Sequence, residues 1–325
     1  MELKQRILEA IAEDVAAIEI AITENLKPYM PLVSQVAEYI MFSGGKRIRP
    51  VLMILSARLC GYKGNYDKTL SVVFEYLHAA TLLHDDLVDD AEVRRGNPVA
   101  HSIWGNPATV LVGDFLLARS ISIATETGQL PIAEAISYTT AQMSEGEIHQ
   151  LLHKGDLTMD EKQYMEVIRR KTACLIQTAC KVGALLAGAS KTQVQALTQY
   201  GYNLGCAFQL VDDLLDYTAN EKILGKAIGA DLREGKLTLP LIHALANAPE
   251  RDRQKMETII QGVKTNTTDF EIILELVTKH GGIAYASNRA KKLIAQAKQR
   301  LTLFGPSKSR SVLEDLADYV LTREA

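Results

Sequence analysis

The sequence has no CxxC pair, no surplus of one charge, few aromatic residues and no convincing alternation of apolar and polar residues at period two. Its four cysteines, Cys60, Cys174, Cys180 and Cys206, sit singly in apolar helical runs, which excludes a disulfide framework and reads as reduced thiols of a cytoplasmic protein. With 36 Lys and Arg against 39 Asp and Glu the net charge is −3, so nothing points to a nucleic-acid partner. Aromatics make up only 6% of the chain, and the many Ala and Leu residues favour helices over sheet. Nine prolines lie mostly between helical segments, and no Pro/Gly/Ser-rich linker divides the 325 residues, so one domain over 1–325 is expected, with packing helices over about 1–42. No uninterrupted apolar run approaches the ~20 residues of a membrane span, and Met1-Glu2-Leu3-Lys4 does not open a signal peptide.

What is present is aspartate. The stretch His84-Asp85-Asp86-Leu87-Val88-Asp89-Asp90 follows the apolar run Phe74 to Leu83, which reads as helix. Residues four apart share a helical face, so Asp85 and Asp89 stand side by side and repel unless a cation is shared between them. Short, hard carboxylates suit Mg²⁺, which takes one or two of them together with substrate phosphates. A solvated acidic helix end is the bland alternative. Far downstream, Phe208-Gln209-Leu210-Val211-Asp212-Asp213-Leu214-Leu215-Asp216 repeats the pattern, and two such groups can hold several Mg²⁺ ions on a diphosphate.

Basic residues cluster beside glycines. Gly44-Gly45-Lys46-Arg47-Ile48-Arg49-Pro50 ends one helix and begins another, offering backbone N–H groups and three cations to an anion, although taken alone the heptapeptide reads better as a basic surface turn. Arg94-Arg95-Gly96-Asn97-Pro98 leaves the first aspartate motif as a turn, or as a basic helix cap. Lys171-Thr172 is expected to begin a long helix, a position the macrodipole does not favour for lysine. The segment from Leu224 to Pro240, with Gly225, Lys226, Gly229, Gly235 and Lys236, reads as a mobile loop or, beside the aspartates, a lid. His78 lies two helical turns, about 10 Å, before Asp85. Glu75 and His78 form an ExxH pair, but no second ExxH completes a di-iron set. His149 and His153 are four apart with no third ligand nearby.

The pair HDDLVDDAEVRRG and FQLVDDLLDY resembles the two aspartate-rich motifs of the trans-isoprenyl diphosphate synthases, the polyprenyl synthetase family, and family-like segments run from Gly44 to the C-terminus. That resemblance implies an all-α isoprenoid synthase bundle around a central cavity, acting as a homodimer. It implies Mg²⁺, three ions with bound diphosphate, on Asp85, Asp89 and Asp212, with Asp86, Asp213 and Asp216 in the same catalytic motifs. It places isopentenyl diphosphate on Lys46, Arg49, His78 and Arg95. The allylic diphosphate falls to Arg94, Lys171, Thr172, Gln209 and Lys226, with Lys236 near it.

The implied reaction is ionisation of the allylic diphosphate, attack by the double bond of isopentenyl diphosphate, and loss of a proton to the departing diphosphate. In the family a bulky residue four or five positions before the first aspartate stops chain growth. Here those positions are Thr81 and Ala80, so a long product of about octaprenyl length on a farnesyl primer is expected, for a quinone side chain; Ile121 or Ile136 are candidates for the tunnel floor. A product of that length suits release at a membrane surface. The rivals are a shorter-chain synthase, a non-catalytic regulatory subunit and a terpene cyclase. A regulatory subunit would be expected to lose an aspartate motif or the basic cluster, and a cyclase has no need of a second basic pocket.

Overall fold

The computed structural model describes residues 2–218, 229–262 and 267–323, and these are almost wholly helical. Helix α1, Leu3–Leu26, buries Ile7, Ile11, Ile18 and Ile22 at helical spacing. The stripe is not all apolar: Asp14 is buried on it and takes Arg58 in a two-pronged pair at 2.7 and 2.5 Å. Helix α2, Pro31–Phe42, opens on Pro31, whose missing N–H costs nothing at a helix start. Helix α3, Ile48–Leu59, follows a turn at Ser43–Arg47, and α4 runs from Asp67 to Val88. Helix α4 is buried on every side over Leu70–Leu77, the mark of a helix at the centre of a core, and packs against α1, α2 and α3.

After α4 the chain forms a small antiparallel hairpin, β1 (Val93–Arg94) paired with β2 (Asn97–Pro98), where the sequence suggested only a turn. Arg95 (φ 53°) and Gly96 (φ 79°) form its tip, the left-handed pair a two-residue hairpin requires. Helix α5, Ala100–Glu126, is broken at Gly105 (φ 79°, ψ 160°) ahead of Pro107. By length and composition alone α5 could cross a membrane, although no uninterrupted apolar run marks it in the sequence; it carries Asp114 and Arg119 and packs along α4.

The remaining elements are α6 (Leu130–Leu152), α7 (Glu161–Ile168), a π-helical turn (Arg169–Ala173), α8 (Cys174–Leu186), α9 (Lys191–Thr218), α10 (Ala230–Arg233), α11 (Leu239–Asn247), α12 (Glu250–Ile260), α13 (Thr267–Lys279), α14 (Gly282–Leu301) and α15 (Lys308–Thr322). Their contacts define two compact units. One holds residues 1–141, 175–201 and 301–315, the other 142–174, 202–300 and 316–325. In the first unit, Gly183 of α8 lies against the backbone of α3, where a Cβ would come within 2.2 Å of the Met53 carbonyl. In the second, the π turn is gripped from two sides. A Cβ on Gly146 of α6 would meet Lys171 N at 2.7 Å, and one on Gly205 of α9 would meet Ala173 Cα at 2.6 Å.

Candidate active site

In the first unit the aspartates hang from the C-terminal end of α4. Asp89 closes the helix, its N–H donating to the Asp85 carbonyl at 2.8 Å, so the expected four-residue spacing survives into the cap. Asp86 points the other way. It is 1% exposed and accepts from Arg94 Nε at 2.9 and 3.0 Å, with Nη2 at 2.7 Å. Asp86 thus holds the arginine that the resemblance assigned to the allylic diphosphate.

The basic cluster gathers around His78. Arg49, Arg95, Arg94 and Arg47 all act on its imidazole, and desolvation together with these cations holds it neutral, well below the usual histidine range. Arg95, at the hairpin tip, donates from Nη1 to the Gly44 carbonyl. Arg47 does not face outward with its neighbours: Lys46 is exposed and Arg49 half-buried, whereas Arg47 is buried against Glu75. Upstream on α4, Thr81 is half-buried and donates to the His78 carbonyl at 2.9 Å, while Ala80 is fully buried. On α5, Ile121 is exposed; Ile136 of α6 is fully buried.

In the second unit the motif on α9 divides in the same manner but with different partners. Asp212 is exposed and pairs with Arg323 at 2.7 Å; the guanidinium of Arg323 lies 3.9 Å over the Phe208 ring. Asp213 is buried, accepting from Tyr164 Oη at 2.5 Å and from Gln209 Nε2 at 2.7 Å. Burial pushes its carboxyl up to about 6, against the pull of those two donors. Asp216 accepts from the backbone N–H groups of Ala230 and Asp231, both at 3.1 Å, and so anchors the start of α10; burial raises its pKa.

One expectation needs correction. Lys171 and Thr172 do not begin a helix, because the Asp160–Gln163 capping box starts it upstream and the chain runs helically from Glu161 to Leu186. They lie instead in the π turn, a feature frequent at functional sites because it re-aims side chains. Lys171 Nζ donates to Glu147 at 2.7 Å and to Gln150 at 2.8 Å, and Thr172 donates to Gln209 Oε1 at 2.8 Å. Thr172, Gln209, Asp213 and Tyr164 thus form one hydrogen-bonded chain. Lys236 pairs with Glu234 and acts on Asp213, and Lys226 lies outside the described residues.

Among the described residues no group of three or more Asp, Glu, His or Cys side chains gathers into a complete metal cage. His149 and His153 meet edge to face at 4.6 Å, with His153 Nδ1 at 2.8 Å from the His149 carbonyl. An open cavity of about 490 Å³ in the second unit, lined by Glu161, Lys162, Glu166, Arg169 and Arg289 among others, contains none of the expected site residues.

Sequence reading missed the partners: Glu75 for Arg47, Tyr164 for Asp213, Glu147 for Lys171 and Arg323 for Asp212. None lies at a helical spacing from the residue it serves, so no local pattern could have revealed it.

The polyprenyl synthetase family model matches residues 30–277. The octaprenyl diphosphate synthase of Escherichia coli K12 is 39% identical over 320 residues, spanning 98% of this chain and 99% of that one. A decaprenyl diphosphate synthase structure from Rhodobacter capsulatus superposes with a TM-score of 0.93 at 41% identity, covering 99% of both chains. A polyprenyl synthase from Caulobacter crescentus CB15, complexed with calcium and isoprenyl diphosphate, gives 0.92 at 37% identity over 100% of this chain and 98% of its own.

Proposed function

The chain belongs to the polyprenyl synthetase family, and from that premise we propose that it lengthens an allylic diphosphate by successive condensation with isopentenyl diphosphate. It is an all-α prenyltransferase that makes long-chain all-trans polyprenyl diphosphates. The observation that carries the site assignment is the paired aspartate motif, each copy with outward carboxylates at the end of an apolar helical run and cations nearby.

Asp85, Asp89 and Asp212 are the residues we assign to Mg²⁺. The donor set fits: these are hard carboxylate oxygens, and Mg²⁺ needs only one or two of them per ion beside diphosphate and water, so a protein-only cage is not required. Bound magnesium neutralises the departing diphosphate and lowers the cost of breaking the allylic C–O bond. Arg94, with Nε and Nη2 fixed by Asp86, presents its remaining edge to the allylic diphosphate. Lys171, Thr172 and Gln209 act on the same group, the last two aligned by hydrogen bonds before substrate arrives. Lys226 and Lys236 complete the assignment. Lys46, Arg49 and Arg95 hold isopentenyl diphosphate, and neutral His78 lends it a hydrogen bond without adding charge. The new carbon–carbon bond forms as the allylic cation is captured, and the proton leaves with the diphosphate, no side chain standing out as a dedicated base.

We assign an octaprenyl-length product grown on a farnesyl primer for a quinone side chain, because Ala80 and Thr81 set no bulk before the first aspartate. We also assign a cytoplasmic homodimer. The four cysteines are free thiols, in keeping with a reducing compartment, and Leu111 of α5 and Leu130, Tyr138 and Leu152 of α6 are exposed apolar side chains suited to a second copy. The unit boundaries fall inside helices rather than linkers, which supports one catalytic domain.

The test is to supply farnesyl diphosphate, excess isopentenyl diphosphate and Mg²⁺ and to size the products. Chains near eight isoprene units are expected, and a product stopping at farnesyl or geranylgeranyl overturns the long-chain reading. Replacing Ala80 or Thr81 by Phe should shorten the distribution.

A further inference from the structure

The basic loop between α2 and α3 contains one cation that no outside anion can reach easily. Arg47 is 4% exposed and its Nη1 donates to Glu75 Oε2 at 2.9 Å, with the Glu75 side chain only 8% exposed. A more distant carboxylate, Glu19 of α1, stands 3.8 Å from Nε, and the guanidinium lies 5.4 Å from the Phe42 ring centroid. Arg47 thus ties together α1, the end of α2 and α4, while its own backbone, at φ 49°, is the left-handed residue from which α3 departs. A non-glycine residue holds that conformation only when its surroundings require it. Gly44 and Gly45, at φ 112° and 155°, give the loop freedom that must be restrained elsewhere. Among its restraints are Arg95 on the Gly44 carbonyl near the surface and Arg47 on Glu75 beneath. Glu75 lies one turn before His78 on α4, so the anchor stands next to the imidazole around which the arginines gather.

We propose that Arg47 and Glu75 form a buried latch that positions Lys46 and Arg49, and that through it they set the affinity for the diphosphate of isopentenyl diphosphate without touching that substrate. The inference rests on the assignment of Lys46 and Arg49 to isopentenyl diphosphate. Glu75, whose ExxH spacing with His78 resembles a metal motif, then acts as the buried counter-anion of a loop and helix start that carry three cations. The latch is a positioning device, and its chemistry is specific to one of the two substrates.

The opposite reading, in which Arg47 is a third cation for the diphosphate, differs in sign. Glu75→Gln releases Arg47 from its carboxylate. If Arg47 binds substrate, KM for isopentenyl diphosphate should fall; if it is a latch, KM should rise at least about five-fold, with KM for farnesyl diphosphate changed less than about two-fold. Removing one partner of a buried pair can unfold a protein, whereas replacing both by apolar residues is often neutral. The double variant Arg47→Met/Glu75→Leu therefore serves as the second arm, read beside its thermal melt, and should show the same selective rise in KM. Arg47→Lys, which keeps the charge but loses the planar fork, should fall between it and the parent. Lys46→Ala distinguishes the latch from the substrate assignment beneath it. If it leaves KM for isopentenyl diphosphate unchanged, the substrate assignment fails and the latch falls with it. If Lys46→Ala raises that KM while neither Glu75→Gln nor the folded double variant does, the latch alone is overturned.

Discussion

The two aspartate motifs have the same aspartate spacing and different electrostatic settings. In each, the second aspartate turns into the protein while the first, half-buried at Asp85 and exposed at Asp212, does not, because neighbours on a helix are set about 100° apart. Asp86 meets the guanidinium of Arg94, which adjoins the tip of the β-hairpin. Asp213 meets a phenol and an amide, and burial raises its pKa to about 6 against the pull of those two neutral donors. The third aspartates diverge as well: Asp89 caps its own helix, whereas Asp216 holds the backbone of the short helix that follows. Residue pattern alone does not tell which carboxylate is buried on a partner and which is not; packing does.

The largest effect should come from the outward members. Asp85→Asn and Asp212→Asn should each lower kcat about 10²–10³-fold, in line with removing one preorganised electrostatic contact, without loss of fold, and EDTA should abolish turnover; incorporation of labelled isopentenyl diphosphate measures all three. Retained activity at either position would mean that the two outward aspartates are not equivalent.

The inward members provide the sharper contrast. Asp86→Asn leaves Arg94 without its anion and should cost about 1–3 kcal/mol, the value for a buried pair discounted because Arg94 keeps solvent contact, with a several-fold rise in KM for the allylic primer. Asp213→Asn preserves an acceptor for Tyr164 and should cost far less by thermal melting. Equal damage at the two sites would break the comparison.

A smaller, pH-dependent difference should follow from Asp213. Its native pKa, about 6, lies above the unfolded value near 4, so its contribution to stability is full below pH ~4 and is lost as pH rises through 6. In metal-free protein the melting temperature of the parent should therefore fall relative to Asp213→Asn between about pH 4 and 7.5, and parallel curves would show that the carboxyl titrates normally.

The smallest effect is at Arg323. Its ion pair with the exposed Asp212 is of the kind worth about 0.2–1 kcal/mol. Arg323→Ala should thus lower the Mg²⁺ concentration for half-maximal rate by no more than about five-fold, read from metal titrations of activity.

Much of this molecule is legible in its residues. The helical reading of α1, α2 and α4 and the four-residue spacing of Asp85 and Asp89 need only periodicity, and the grouping of Arg49 and Arg95 at His78 is implied by the family resemblance. The hairpin at Val93–Pro98 is not legible, since two-residue strands leave no alternation to detect. The π turn escapes for a related reason: Lys171 reads locally as a helix start, while the signal that matters is the capping box at Asp160. Nor does an uninterrupted-run criterion flag α5, whose apolar character is spread around a kink and two charges.

The sequence by itself determined the helical class, the family and the two sets of carboxylates, because spacing along a helix is a local property that residue order states directly. Only the tertiary structure decided which carboxylates are buried and what each of them meets. Arg47 meets Glu75 across 28 residues, Tyr164 meets Asp213 across 49 and Arg323 meets Asp212 across 111. Such partners are chosen by how helices pack, which residue order does not state.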